Sequence, residues 1–86
     1  MIEINNWHLH PVRGGGICLV GQVAGRGELQ TTEVVQATVL HNGTRLLKTE
    51  TGSVYKLGTE KLGMWVVALE SRRPEKVANL RKAGIL

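Results

Sequence analysis

Glycine recurs so often along the first two-thirds of this chain that long helices are excluded there. Gly14-Gly15-Gly16, then Gly21, Gly25 and Gly27, then Gly43, Gly52 and Gly58 cut it into short segments. Segments of that length between turn formers suit strands. Trp7 and Leu9 alternate with His8 and His10 until Pro11 stops the first strand. Ile17 to Val23 is a denser apolar run, the pattern of a strand covered on both faces or bent at Gly21. Thr31 to Leu40 is rich in β-branched residues and runs into Asn42-Gly43, whose positive-φ tolerance predicts a type I′ hairpin with Thr44 to Glu50. Thr51-Gly52 makes a second tight turn, and Ser53 to Leu57 returns as a fifth strand with Tyr55 and Leu57 inward.

The last third changes period. Leu62, Trp65, Val66 and Leu69 fit the i, i+3, i+4, i+7 template, which predicts a helix over about 60–70 with Thr59 as N-cap. Val66-Val67 and Gly63 favour the competing reading, a strand over 64–69. Pro74 suits the first turn of a second helix with Val77 and Leu80 inward and Gly84 at its end. The expected fold class is α+β: a small five-stranded antiparallel meander or barrel-like sheet followed by one or two C-terminal helices, as one domain over 1–86.

Such a chain buries only roughly 60 to 65 per cent of its unfolded surface. Trp7, Tyr55 and Trp65 are its only aromatic residues, so aliphatic side chains must build most of the core. A core this thin favours a homo-oligomer, with Trp65 and the Leu62, Val66, Leu69 stripe expected at the interface. Cys18 is the sole cysteine, which excludes an internal disulfide and a cysteine-pair zinc site and suggests a reducing, cytoplasmic setting. No segment has the pattern of a signal peptide or a membrane span, the longest apolar run being Met64 to Leu69.

Chemistry-bearing residues are sparse. Cys18 sits among Ile17, Leu19 and Val20, where burial would raise its pKa and leave it inert. Neither Ser53 nor Ser71 sits in a nucleophile elbow, and no carboxylate pair is visible, so the expectation is a protein that is not an enzyme. His8 and His10 share a strand face, but no further ligand completes a metal set, and neither metal nor cofactor is expected. The eleven Lys and Arg against seven Glu leave a net charge of +4, allowing an anionic partner. Most of that excess lies after residue 69, where Arg72, Arg73, Lys76, Arg81 and Lys82 face Glu70 and Glu75, a mixed pattern read as a solvated helix face.

Arg13-Gly14-Gly15-Gly16 is the best candidate for chemistry, because glycine N–H groups can converge on an anion beside a bidentate Arg. Gly25-Arg26-Gly27 offers a weaker version at the other end of the same strand. Thr49, Thr51 and Ser53 add hydroxyls, and Tyr55 adds a ring able to stack on a base. Leu19-Val20-Gly21-Gln22-Val23, then Thr31-Thr32-Glu33-Val34, then the T-x-T-G-S-x-Y-x-L-G run from Thr49 to Gly58 resemble a group of small uncharacterised bacterial and phage proteins. The resemblance covers about residues 17–58 and implies a compact β-rich fold without enzymatic activity. The expected function is a non-catalytic binding protein of phage type. It would capture a nucleotide or other phosphate-bearing anion between subunits, in the manner of anti-defence sequestration, through Arg13, Gly14, Gly15, Gly16, Arg26, Thr49, Thr51, Ser53 and Tyr55. The alternatives are a small barrel gripping single-stranded nucleic acid through Trp7 and Tyr55, and a protein–protein inhibitor or adaptor.

Overall fold

The computed structural model describes residues 1–86. Five strands, β1 (Ile2–Pro11), β2 (Ile17–Val23), β3 (Gly27–Val39), β4 (Arg45–Thr49) and β5 (Val54–Leu57), precede two helices, α1 (Trp65–Arg72) and α2 (Pro74–Lys82). Successive strands pair antiparallel, and the sheet closes into a barrel where β1 meets β5 in parallel, with Ile2 opposite Tyr55 and Ile4 opposite Leu57. Closure leaves fewer unpaired edges than an open meander would, a gain for a chain with so little core.

A five-stranded barrel closes only if some strands serve two neighbours. β1 pairs with β5 through residues 2–4 and with β2 through residues 5–11, while β3 pairs with β2 through residues 27–33 and with β4 through residues 34–39. Register shifts occur in these same strands, between Asn5 and His8 in β1 and on either side of Glu33 and Val34 in β3. Extra residues there bend the strands around the corners. In β1 the device is visible in the burial pattern. Ile4, Trp7 and Leu9 are all buried, and Trp7 follows Ile4 at an odd offset of three positions, which strict alternation forbids. Asn6 absorbs the difference at φ 50°, the chain's only non-glycine residue with positive φ. Asn is among the few side chains that tolerate that region.

The hairpins differ in kind from the sequence expectation. Gly43 lies at φ 87° and donates to Leu40 O at 2.9 Å, while Asn42 keeps a negative φ. This is a three-residue loop ending on a left-handed glycine, and the type I′ turn does not form. The same pattern recurs at Gly52, whose N–H donates to Thr49 O at 2.9 Å. β2 spans the dense apolar run as expected, and Gly21 is needed for close approach, since a Cβ there would lie 2.7 Å from Ile4 Cγ1.

Residues 65–69 resolve as helix, with Met64 at the N-cap position, but α1 starts five residues later than the periodicity suggests. Thr59 does not cap it. Its N–H donates to Asn5 Oδ1 at 2.8 Å and its carbonyl accepts from Trp7 N at 3.2 Å, so residues 58–61 run as a strap along β1. α2 starts at Pro74 and ends before Gly84 at φ 84°, with Val77 and Leu80 buried, as expected. The stripe assigned to a subunit interface is mostly spent within the chain. Leu69 is buried, and Trp65 and Val66 pack against the core, leaving Leu62 as its one exposed member, at 93%.

A Cβ on Gly58 would sit 2.0 Å from Asn5 Oδ1, the atom that anchors the strap. Gly58→Ala is expected to lower stability by about 1 to 3 kcal/mol in urea titration. Asn6→Val should cost roughly 1 to 2 kcal/mol while Asn6→Gly stays near wild type, because only the backbone conformation is at issue there.

Candidate functional site at the helix junction

The nine residues singled out in the sequence are not brought together. Arg26 lies in the β2–β3 turn, where its N–H donates to Val23 O, at the opposite end of β2 from Arg13. Thr49 is 1% exposed and its hydroxyl is bonded to that of Thr51 at 3.1 Å, so it braces the β4–β5 turn. Thr51 and Ser53 stay exposed at that turn. Tyr55 is buried in the core, and Trp7 is wholly buried. Neither ring offers an open face, which removes the stacking platforms assigned to nucleic-acid binding. Gly14 and Gly15 adopt φ 85° and 92° in a short 3-10 turn over Arg13–Gly15, so their primary role is conformational. Gly16 is kept clear by the Glu33 side chain, which a Cβ would meet at 2.5 Å. Of the nine, Gly15 alone lines a cavity.

That cavity, about 290 Å³, lies where α1 hands over to α2 and is bounded by Gly15, Arg72, Arg73, Pro74, Glu75 and Lys76. Arg73 builds it. Its guanidinium donates to Val12 O at 2.7 Å, Gly16 O at 3.1 Å and Arg72 O at 2.9 Å, tying the glycine turn to the helix junction. Five N–H groups in a fixed fork suit one side chain to three carbonyls. With Arg73, a side chain that has no acceptor, at its N-cap position, α2 has no side-chain cap, and the N–H groups of Glu75 and Lys76 have no partner. Helix N-terminal N–H groups carry partial positive charge and attract anions.

Arg72 also borders a second recess, about 250 Å³, running between β1 and α1. Leu9 and Leu69, buried in the core, close its inner side, and Ala68 and Trp65 form its helical wall. His8, His10 and Lys61 supply polar groups along it. The Trp65 indole is pinned from behind, donating Nε1–H to Lys61 O at 3.0 Å and standing edge-on to Trp7 at 5.6 Å. His8 and His10 share this face, as the strand spacing predicts, and no third metal-ligating side chain joins them. His8 Nδ1 is the one buried side-chain polar atom without a hydrogen bond. Desolvation, then the charges of Lys61 and His10, hold the His8 imidazole below the usual 6.5, with Glu28 opposing weakly. Cys18 is buried, and burial pushes its thiol up, as an inert core cysteine requires.

The residues missed in the sequence are those read as a solvated helix face. Their signal was Arg72-Arg73-Pro74-Glu75-Lys76: proline marks a helix start, and basic residues there oppose the helix dipole. No protein family, curated protein or solved structure matches the chain, and no helix is long and apolar enough to cross a membrane.

Arg73→Ala should cost about 1.5 to 3 kcal/mol, and Arg73→Lys should recover only part of it, because an ammonium cannot span three carbonyls. His8 yields a pH prediction. A folded imidazole held below its unfolded value means that the unfolded chain takes up the proton first, so stability is fully present above about pH 6.5 and falls as pH drops below it. Thermal denaturation between pH 7.5 and 5.5 should show that loss, and His8→Gln should flatten it.

Proposed function

We propose that this protein is a binding module for a small phosphate-bearing anion, held at the α1–α2 junction. The observation that supports the reading is a concentration of positive potential that folding does not use. The uncapped N–H groups of Glu75 and Lys76 open beside the exposed side chains of Arg72 and Lys76, with Glu75 the only acidic side chain on the cavity. Lys76 lies in the first turn of α2, where a cation repels the helix dipole. An anion seated there would relieve that repulsion and meet both the backbone donors and a guanidinium. Arg73, already satisfied by carbonyls, adds charge without being free to move. The cavity is formed by one chain, so capture at it needs no second copy.

The reading is one of binding. Cys18 is buried, and the Ser71 hydroxyl is occupied by Ala68 O at 2.8 Å.

Calorimetric titration with inorganic phosphate and pyrophosphate tests this. Pyrophosphate should bind more tightly, with an affinity that weakens from 50 to 300 mM salt, concentrations that span strong to weak screening. The double variant Arg72→Ala/Lys76→Ala should lose about 2 kcal/mol, roughly thirtyfold. Its thermal stability should be no lower than that of the unaltered chain, since both side chains are exposed and Lys76 opposes the helix dipole. No measurable binding of either anion at low salt would remove the reading.

A further inference from the structure

We propose that an extended acidic peptide docks between the free edge of β3 and α2, pairing with β3 as an added strand and setting its acidic residues beside Lys76. The proposal does not depend on the anion reading and shares one residue with it, Lys76.

The free edge exists because β3 serves two neighbours. β2 pairs with it only as far as Glu33, opposite Cys18, and β4 takes over from Val34 to Val39. Beyond Glu33 the side of β3 away from β4 has no strand on it. Leu40 donates to Thr44 O at 2.8 Å, and from that bonded pair the ladder alternates through Thr38 with Leu46 and Gln36 with Lys48. The intervening residues, Ala37 and Val39, therefore direct their N–H and C=O groups away from β4, where no hydrogen bond of the chain uses them. Exposed edges are ordinarily blunted by charge, proline or a bulge. Val34-Val35-Gln36-Ala37-Thr38-Val39 carries no charge and no proline, and its register shift falls before the free groups, between Val34 and Gln36.

α2 stands across from this edge and leaves a groove of about 270 Å³. Core side chains close its floor, and its accessible walls are Val35, Gln36 and Ala37 on one side and Lys76, Asn79 and Ala83 on the other. An extended main chain lying along such a groove needs no deeper pocket, because backbone bonds to the edge supply its affinity. The edge admits a single extended chain, whereas the β3 of a second copy would bring its own α2 against this one. α2 runs in the same direction as β3. Arg73, just before it, donates to Gly16 O beside the Glu33 side chain, and a Cβ on Gly84, just after it, would lie 3.4 Å from Val39 Cγ2. Lys76 thus stands at the Val34 end of the groove. It is the only charged side chain lining the groove, and it is exposed with no ion-pair partner. An acidic residue there gains a partner, and a basic one is repelled. Antiparallel pairing brings the C-terminal end of the peptide to Lys76, so the acidic residues fall at that end.

The experiment titrates the full chain with the peptide Thr-Val-Thr-Val-Thr-Glu-Glu and with the same peptide ending in Lys-Lys, both amidated at the C-terminus and fluorescein-labelled at the N-terminus. Anisotropy reads the affinity, and amide exchange is followed residue by residue in NMR spectra. In the free chain the Ala37 and Val39 amides should exchange faster than those of Gln36 and Thr38. The acidic peptide should slow them about tenfold or more and bind about tenfold more tightly than the basic one. Of two acidic peptides N-methylated on alternate sets of amides, the one blocked on the side facing β3 should lose about tenfold and the other should stay near the parent, a signature that charge attraction alone does not give. Asn79→Glu should weaken the acidic peptide about fivefold and Asn79→Lys should tighten it, with melting curves unchanged because that side chain is exposed. Equal binding of the acidic and basic peptides, equal effects of the two methylation patterns, or no binding of either peptide overturns the proposal. Protection of the Ala37 and Val39 amides that rises with protein concentration in the absence of peptide assigns the edge to a second copy and overturns the peptide as its occupant.

Discussion

Trp7 is the residue on which the rest of the molecule converges. Its side chain is fully buried, its indole N–H donates to Gly58 O at 3.0 Å, and its backbone bonds to both Thr59 and Lys61. Trp65 stands edge-on against it, and the Arg45 guanidinium lies 5.4 Å from its ring while donating to Ile85 O at 2.8 Å. One side chain thus joins β1, the strap after β5, the start of α1 and the C-terminal residues. A chain with three aromatic residues concentrates much of its apolar area in this one. Asn6 is the complement, because without its left-handed turn Trp7 would point to the solvent side of β1.

Arg73 does for the other end of the helices what Trp7 does for their start. Its three bonds clamp the glycine turn to the helix junction. The N-terminus of α2 stays open because the residue at its N-cap position is this donor-only arginine. The candidate site is a by-product of the way the helices are fastened to the barrel. The neighbouring recess has a similar origin, since α1 rests on β1 through Trp65 and Leu69 and leaves a gap between them beside His8 and His10.

His8 and Cys18 are both displaced from their ordinary values chiefly by burial. The ion pairs, Lys56 with Glu3 and Arg81 with Glu70, are about half exposed. Pairs of that kind contribute little to stability. Arg81 with Glu70 still joins α2 to α1, holding in register the two helices whose meeting point forms the junction.

The strand segments, the second helix and the burial of Cys18 were legible in the sequence, because turn-forming glycines, Pro74 and apolar alternation act over a few residues and need no distant partner. The α+β architecture followed from them. What tertiary structure alone decided is everything that depends on closure. The parallel pairing of β1 with β5, the late start of α1 behind a strap held by Asn5 and Trp7, and the burial of Tyr55 all arise from contacts some fifty residues apart in the chain. For the same reason the motifs around Arg13 and Thr49, expected to share one site, lie apart in the fold. A glycine beside an arginine, or a cluster of hydroxyls, carries the same local signal whether it faces a ligand or braces a turn. Only the fold shows that the turn is held by Arg73, and that the unspent positive charge lies at the start of α2.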